Sequence, residues 1–260
     1  MQVMLLLKKI SGIAILAMGI GTMPVLANEL SPVASNQTQA MPARLHANPS
    51  IIKINVTQQS YNARMPWKKL PPVSSSGVGV VLDNKKVLVT ASLVQDARYI
   101  EFEKPNNGAR VAAKVMMVDF EANLALLQPS SSHASFMDDL VPLQLTPTIQ
   151  EGDGLEVWQL GRTGELLVSP MVVNKVVVGR YLLPSSGFLT LEANGILRAE
   201  VTSVTLPFVK NGQLAGLLLR YDTRNQSATL IPSVVIAHFL RDAVDGVYDG
   251  FPSVGLLVHP

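Results

Sequence analysis

From Ser50 to Ile231 the sequence breaks into short strand-like runs, and no long helical period appears before residue 233. Ile52, Ile54 and Val56 alternate with Lys53, Asn55 and Thr57, the two-residue period of a half-buried strand. Tyr99 to Glu103 and Arg110 to Val118 flank an Asn106-Asn107-Gly108 turn, a strong hairpin signal. The rhythm resumes at Leu155 to Leu160, Leu166 to Ser169, Val172 to Val178 and Gly187 to Glu192, with turns at Gly152-Asp153-Gly154 and Thr163-Gly164. Many short strands at this spacing predict an all-β barrel or sandwich. A helix is predicted only after Pro232-Ser233, where Val235, Ile236, Phe239, Leu240 and Ala243 share one face.

Composition bounds what such a chain can do. Hydrophobic residues make up 48% and charged ones 15% of 260 residues, enough for a large core or two smaller ones. Lys8 and Lys9, the apolar run Ile10 to Met23, and Val25-Leu26-Ala27 are ordered as in a secretory signal cleaved after Ala27. The alternative is an uncleaved membrane anchor. Removing residues 1–27 leaves 19 basic residues against 19 acidic, which excludes a nucleic-acid footprint. The absence of cysteine excludes disulfides and zinc–thiolate sites, and no histidine–carboxylate cluster has metal-ligand spacing. No glycine-rich phosphate loop is present, so no cofactor and no metal are expected. Residues 28–47 read as a flexible lead-in.

Three stretches carry a family pattern. Val89-Thr90-Ala91-Ser92-Leu93-Val94 resembles the strand-to-helix corner bearing the base histidine in HtrA/Deg-type trypsin-like serine proteases, with Ser92 at the histidine place. Pro66-Trp67 and Ser76-Gly77-Val78-Gly79 resemble the segments that precede that corner. Asp119 to Leu127 is similar to the signature in which an aspartate precedes Leu-Ala-Leu-Leu; the aspartate position is Asn123, and Asp119 is not a replacement. Pro207, Gly212 and Gly216 hold the frame after the nucleophile motif, which puts Val204 at the serine. Thr202, Ser203, Thr205 and Leu206 then occupy the oxyanion loop.

The resemblance covers residues 48–260 and implies two six-stranded barrels of the trypsin-like fold with a C-terminal helix. The expected divisions are barrel one at about 48–130, barrel two at about 142–232 and the helix at about 233–244, all within a protease domain of 48–247. Residues 248–260 resemble the segment leading into a PDZ domain, so the chain is expected to stop inside that segment.

A serine protease needs an imidazole base, an anionic orienting group, a nucleophile and backbone donors for the oxyanion. Serine, asparagine and valine supply none of the first three, so no catalytic residue is expected to function. A β-branched Thr202 also replaces a glycine whose backbone freedom the turn uses. The expectation is an exported pseudoprotease, periplasmic or secreted, that binds peptides or unfolded proteins by strand addition, or regulates an active protease homologue. Membrane contact is expected only if the signal segment stays uncleaved, and nucleic acid is not a partner. The alternative is a serine endopeptidase with a rearranged site, Ser203 being the nucleophile. His133, alone among loop serines, and Lys210, in a turn, are read as solvated, and His238 as structural or surface.

Overall fold

The computed structural model describes residues 48–130, 135–182, 187–198, 205–245 and 249–251. Barrel one comprises β1 (Ile51–Gln58), β4 (Val73–Leu82), β5 (Lys86–Val89), β6 (Ala97–Glu103), β7 (Arg110–Asp119) and β8 (Leu124–Pro129), closed in the order β1-β4-β5-β8-β7-β6. Between β1 and β4 a separate two-stranded hairpin stands out, β2 (Tyr61–Asn62) and β3 (Met65–Lys69). A one-turn helix, α1 (Ala91–Val94), follows β5.

Barrel two comprises β9 (Gly154–Leu160), β10 (Leu166–Arg180), β11 (Gly187–Asn194), β12 (Pro207–Lys210), β13 (Gln213–Asp222) and β14 (Ser227–Pro232). It closes as β10-β11-β14-β13-β12-β9, and α2 (Ser233–Asp245) follows at once. The fold is the trypsin-like double barrel with its C-terminal helix. None of the helices among the described residues is long and apolar enough to cross a membrane.

Sequence pattern explains which strands face the second barrel. β1 alternates because one of its faces is half-exposed. By contrast β5, β8 and the Gly77 to Leu82 part of β4 are buried on both faces and read as nearly continuous apolar runs. Val81, Val87, Val89 and Leu127 point into barrel one. Val78, Val80, Leu88, Leu124 and Leu126 point the other way and share a core with Leu206, Phe208, Leu214 and Leu217 of barrel two. Burying each such leucine stabilises by about 1.5–3 kcal/mol relative to exposure. That shared core makes the seam between the barrels.

Backbone hydrogen bonds reinforce the seam. Val78 N donates to Thr205 O at 3.2 Å. The connecting chain bonds to both sides, through Leu143 N to Val81 O (2.8 Å), Leu214 N to Gln144 O (2.8 Å) and Thr146 N to Leu214 O (2.9 Å).

Some elements differ from their sequence pattern. The runs Leu166 to Ser169 and Val172 to Val178 form one strand, β10, because Pro170 lies exposed within it and the register shift comes later, between Val173 and Lys175. Lys210 is not merely solvated: its Nζ lies 2.5 Å from Asp153 Oδ2. That hydrogen bond, with one from Gln150 N, holds the Asp153 carboxyl below the usual aspartate range. His238 is structural, stacking on Phe251 with centroids 4.4 Å apart while its Nε2 lies 3.0 Å from Gly250 O. The tail is thereby held at Gly250 and Phe251, which also packs edge-on against Phe188 at 4.7 Å. Of residues 248–260, read from sequence as leading to a PDZ domain, 248 and 252–260 lie outside the described residues, as does His133.

Candidate functional site

The strand-to-helix corner is built by running β5 into α1 at the seam. Ala91, Leu93 and Val94 are buried and fix the corner, leaving Ser92 half-exposed. A helix start leaves N–H groups without intrahelical partners. Asn123, from the turn before β8, takes two of them: its Oδ1 accepts from Ser92 N at 2.9 Å and its backbone O from Ala91 N at 3.1 Å. It does so at φ 55°, a left-handed conformation that asparagine tolerates better than most side chains. Asp119 shapes the same turn, its Oδ1 accepting from Glu121 N (2.7 Å) and Ala122 N (3.0 Å). Its Oδ2 is buried without a protein partner among the described residues.

Gln58, at the end of β1, closes the other end of the corner. Its Nε2 donates towards the carbonyls of Ser92 (3.4 Å), Leu93 (3.1 Å) and Gln95 (3.0 Å), and its Oε1 accepts from Ser75 Oγ at 2.8 Å. Beside it lies an open groove of about 360 Å³ bordered by Gln58, Ser60, Leu70, Val73, Ser92 and Asp96.

A chain of hydroxyls crosses the seam. Ser92 Oγ donates to Thr90 Oγ1 at 3.2 Å, and Thr90 Oγ1 lies 2.6 Å from Thr205 Oγ1, where either hydroxyl can donate. Thr90 N also donates to Thr205 Oγ1 at 3.3 Å. Both threonines are buried. Leu206, next in the chain, is buried in the shared core, and its O accepts from Leu218 N at 2.9 Å.

The structure thus brings together Ser92, Asn123 and Thr205, which lie far apart in sequence. Thr202, Ser203 and Val204 lie outside the described residues. Sequence reasoning missed Thr90 and Gln58. Thr90 follows three buried residues of β5, and a hydroxyl at the end of so apolar a strand was the available signal. For Gln58 the local sequence offers none.

Chemically the assembled groups are neutral donors and acceptors. A serine hydroxyl does not take a proton at neutral pH, and an asparagine amide carries no charge to stabilise a cation. Among the described residues no group of three or more His, Cys, Asp or Glu could hold a metal ion.

No family model matches the chain. Two relatives from Arabidopsis thaliana are Protease Do-like 4, mitochondrial, 24% identical over 205 residues, and Protease Do-like 2, chloroplastic, 25% identical over 235. The alignments take in 78% and 86% of this chain but only 39% and 38% of those proteins. A serine protease DegP homolog of Plasmodium falciparum is 24% identical over 81% of this chain and 24% of its own length.

Among solved structures, the active form of the Rv3671c protease from M. tuberculosis superposes with a TM-score of 0.57 at 17% identity, covering 75% of this chain and 81% of that one. The HtrA-type protease AlgW, solved with a decapeptide, gives 0.57 at 15% identity, covering 77% and 66%. The chain is thus similar in sequence to serine proteases of the HtrA/Deg family and shares the trypsin-like fold of the solved structures.

Proposed function

We propose that the chain is a member of this family without peptidase activity, exported to the periplasm or beyond after cleavage following Ala27, where it holds peptides or unfolded protein or regulates an active homologue. The observation that carries this reading is the corner itself. Ser92, at the place of the family's base, bonds through its hydroxyl to Thr90, and Asn123 spends its amide oxygen on the Ser92 backbone. No imidazole among the described residues serves this corner, since His238 is engaged with Gly250 and Phe251. Without a base the attacking hydroxyl keeps its proton, and backbone donors at the oxyanion have nothing to stabilise.

The groove beside Ser92 suits an extended peptide: it is open, and its walls mix polar Gln58, Ser60 and Asp96 with apolar Leu70 and Val73. AlgW, which shares the fold, was solved with a decapeptide, in keeping with a peptide ligand here.

A fluorescent, unstructured peptide tests both halves of the proposal. Its anisotropy is expected to rise on titration with the protein, and its mass to stay unchanged after prolonged incubation. Ser203→Ala is expected to alter neither result. Cleavage of the peptide by wild type, stopped by Ser203→Ala, would make Ser203 the nucleophile; absence of any binding would remove the scaffold role.

A further inference from the structure

The β2–β3 hairpin buries little and belongs to neither barrel. Trp67 is 81% exposed on it, with Tyr61 at 50% and Leu70 at 40%. A tryptophan so placed contributes nothing to the core and points to a surface that receives it. Strand alternation sets Met65, Trp67 and Lys69 on one face, and Tyr61 joins them opposite Lys69.

The same finger is basic. Residues 61–72 hold Arg64, Lys68 and Lys69 and no acid. Arg98 of β6 adds a fourth cation, and with Lys69 it flanks the Tyr61 ring, at 5.6 Å and 5.8 Å from its centroid. Among the described residues none of these four forms an ion pair. Asp96, at the base of the hairpin, is held by Ser60 Oγ at 2.5 Å.

We propose that this hairpin docks on an anionic bilayer surface, Trp67 entering the headgroup layer while Arg64, Lys68, Lys69 and Arg98 meet lipid phosphates. Tryptophan and tyrosine favour that layer, and long basic side chains lay their stems along apolar surface while keeping their charge in water. Exposure supports a bilayer over a protein: every residue of β3 is exposed, as entry into a headgroup layer requires, whereas a protein partner would need a preformed pocket to receive Trp67. The chain also carries the apolar run Ile10 to Met23, of a kind that brings a protein to a membrane during export.

Tryptophan fluorescence of the full chain tests this directly. The other tryptophan, Trp158, is 8% exposed, so changes report Trp67. Vesicles of phosphatidylcholine, alone or mixed with phosphatidylglycerol and carrying brominated acyl chains, serve as probes. Blue-shifted, quenched emission is expected with the anionic vesicles only, reversed by high salt. Each cation near an anionic surface strengthens association roughly fivefold, so Lys68→Glu with Lys69→Glu is expected to weaken docking at least ~25-fold. Trp67→Ser is expected to remove the quenching. Unchanged emission with anionic vesicles would overturn the proposal. So would quenching that is equal in neutral vesicles and indifferent to charge reversal, which would trace contact to the N-terminal run. Binding of poly-glutamate in preference to vesicles would also overturn it, in favour of an acidic protein partner.

Discussion

The Thr90 and Thr205 hydroxyls, 115 residues apart in sequence, meet at 2.6 Å in a buried seam. Removing one by Thr205→Val leaves its partner's hydroxyl short of a bond in a dry place, at a cost of about 1–3 kcal/mol. Thr90→Val is expected to cost a similar amount. Their double variant should lose about 1 kcal/mol less than the sum, since the two hydroxyls no longer need each other. Urea denaturation of the four proteins measures this coupling, and strict additivity would show that the hydroxyl pair does not tie the barrels. The same contact marks where sequence reading stops. Ser92 and Asn123 could be singled out because each sits in a run whose neighbours keep a family spacing. Gln58 could not, because a hydrogen bond between distant segments leaves no periodic trace, and Thr90 showed only as a hydroxyl ending an apolar strand.

Strands carry more of their own instructions. The buried-both-faces character of β4, β5 and β8 is written in Val78 to Leu82, Val87 to Val89 and Leu124 to Leu127, and the β6–β7 hairpin in Asn107-Gly108. Gly79 was legible as part of the Ser-Gly-x-Gly resemblance, and the structure gives its reason: a Cβ there would come within 2.5 Å of Val87 Cγ1 and 2.9 Å of Ile54 Cδ1. Val87 is a stiff, fully buried, branched side chain with nowhere to retreat. Gly79→Ala is therefore expected to destabilise by about 1–3 kcal/mol through overpacking, lowering the urea midpoint without altering the slope. A neutral outcome would mean that barrel one repacks freely around β4. The single long β10 was less legible, because an internal proline reads as a break unless the strand's exposure is known.

Across the described residues, two closed barrels share a core, a connecting chain bonded to both, and a hydroxyl bridge across the seam. Strand rhythm alone leaves barrel or sandwich open; the double barrel, and the exchange of reactive residues that we propose, rest on three short stretches that resemble the family's spacing. A scaffold of this size tolerates such exchange because fold and site are separable. The central claim is that no activated serine remains, and intact-mass spectrometry after exposure to a serine-directed phosphonate tests it most directly. The expected spectrum shows the unmodified protein alone, for wild type and Ser203→Ala alike; a stoichiometric adduct on wild type that Ser203→Ala or Ser92→Ala abolishes would contradict it.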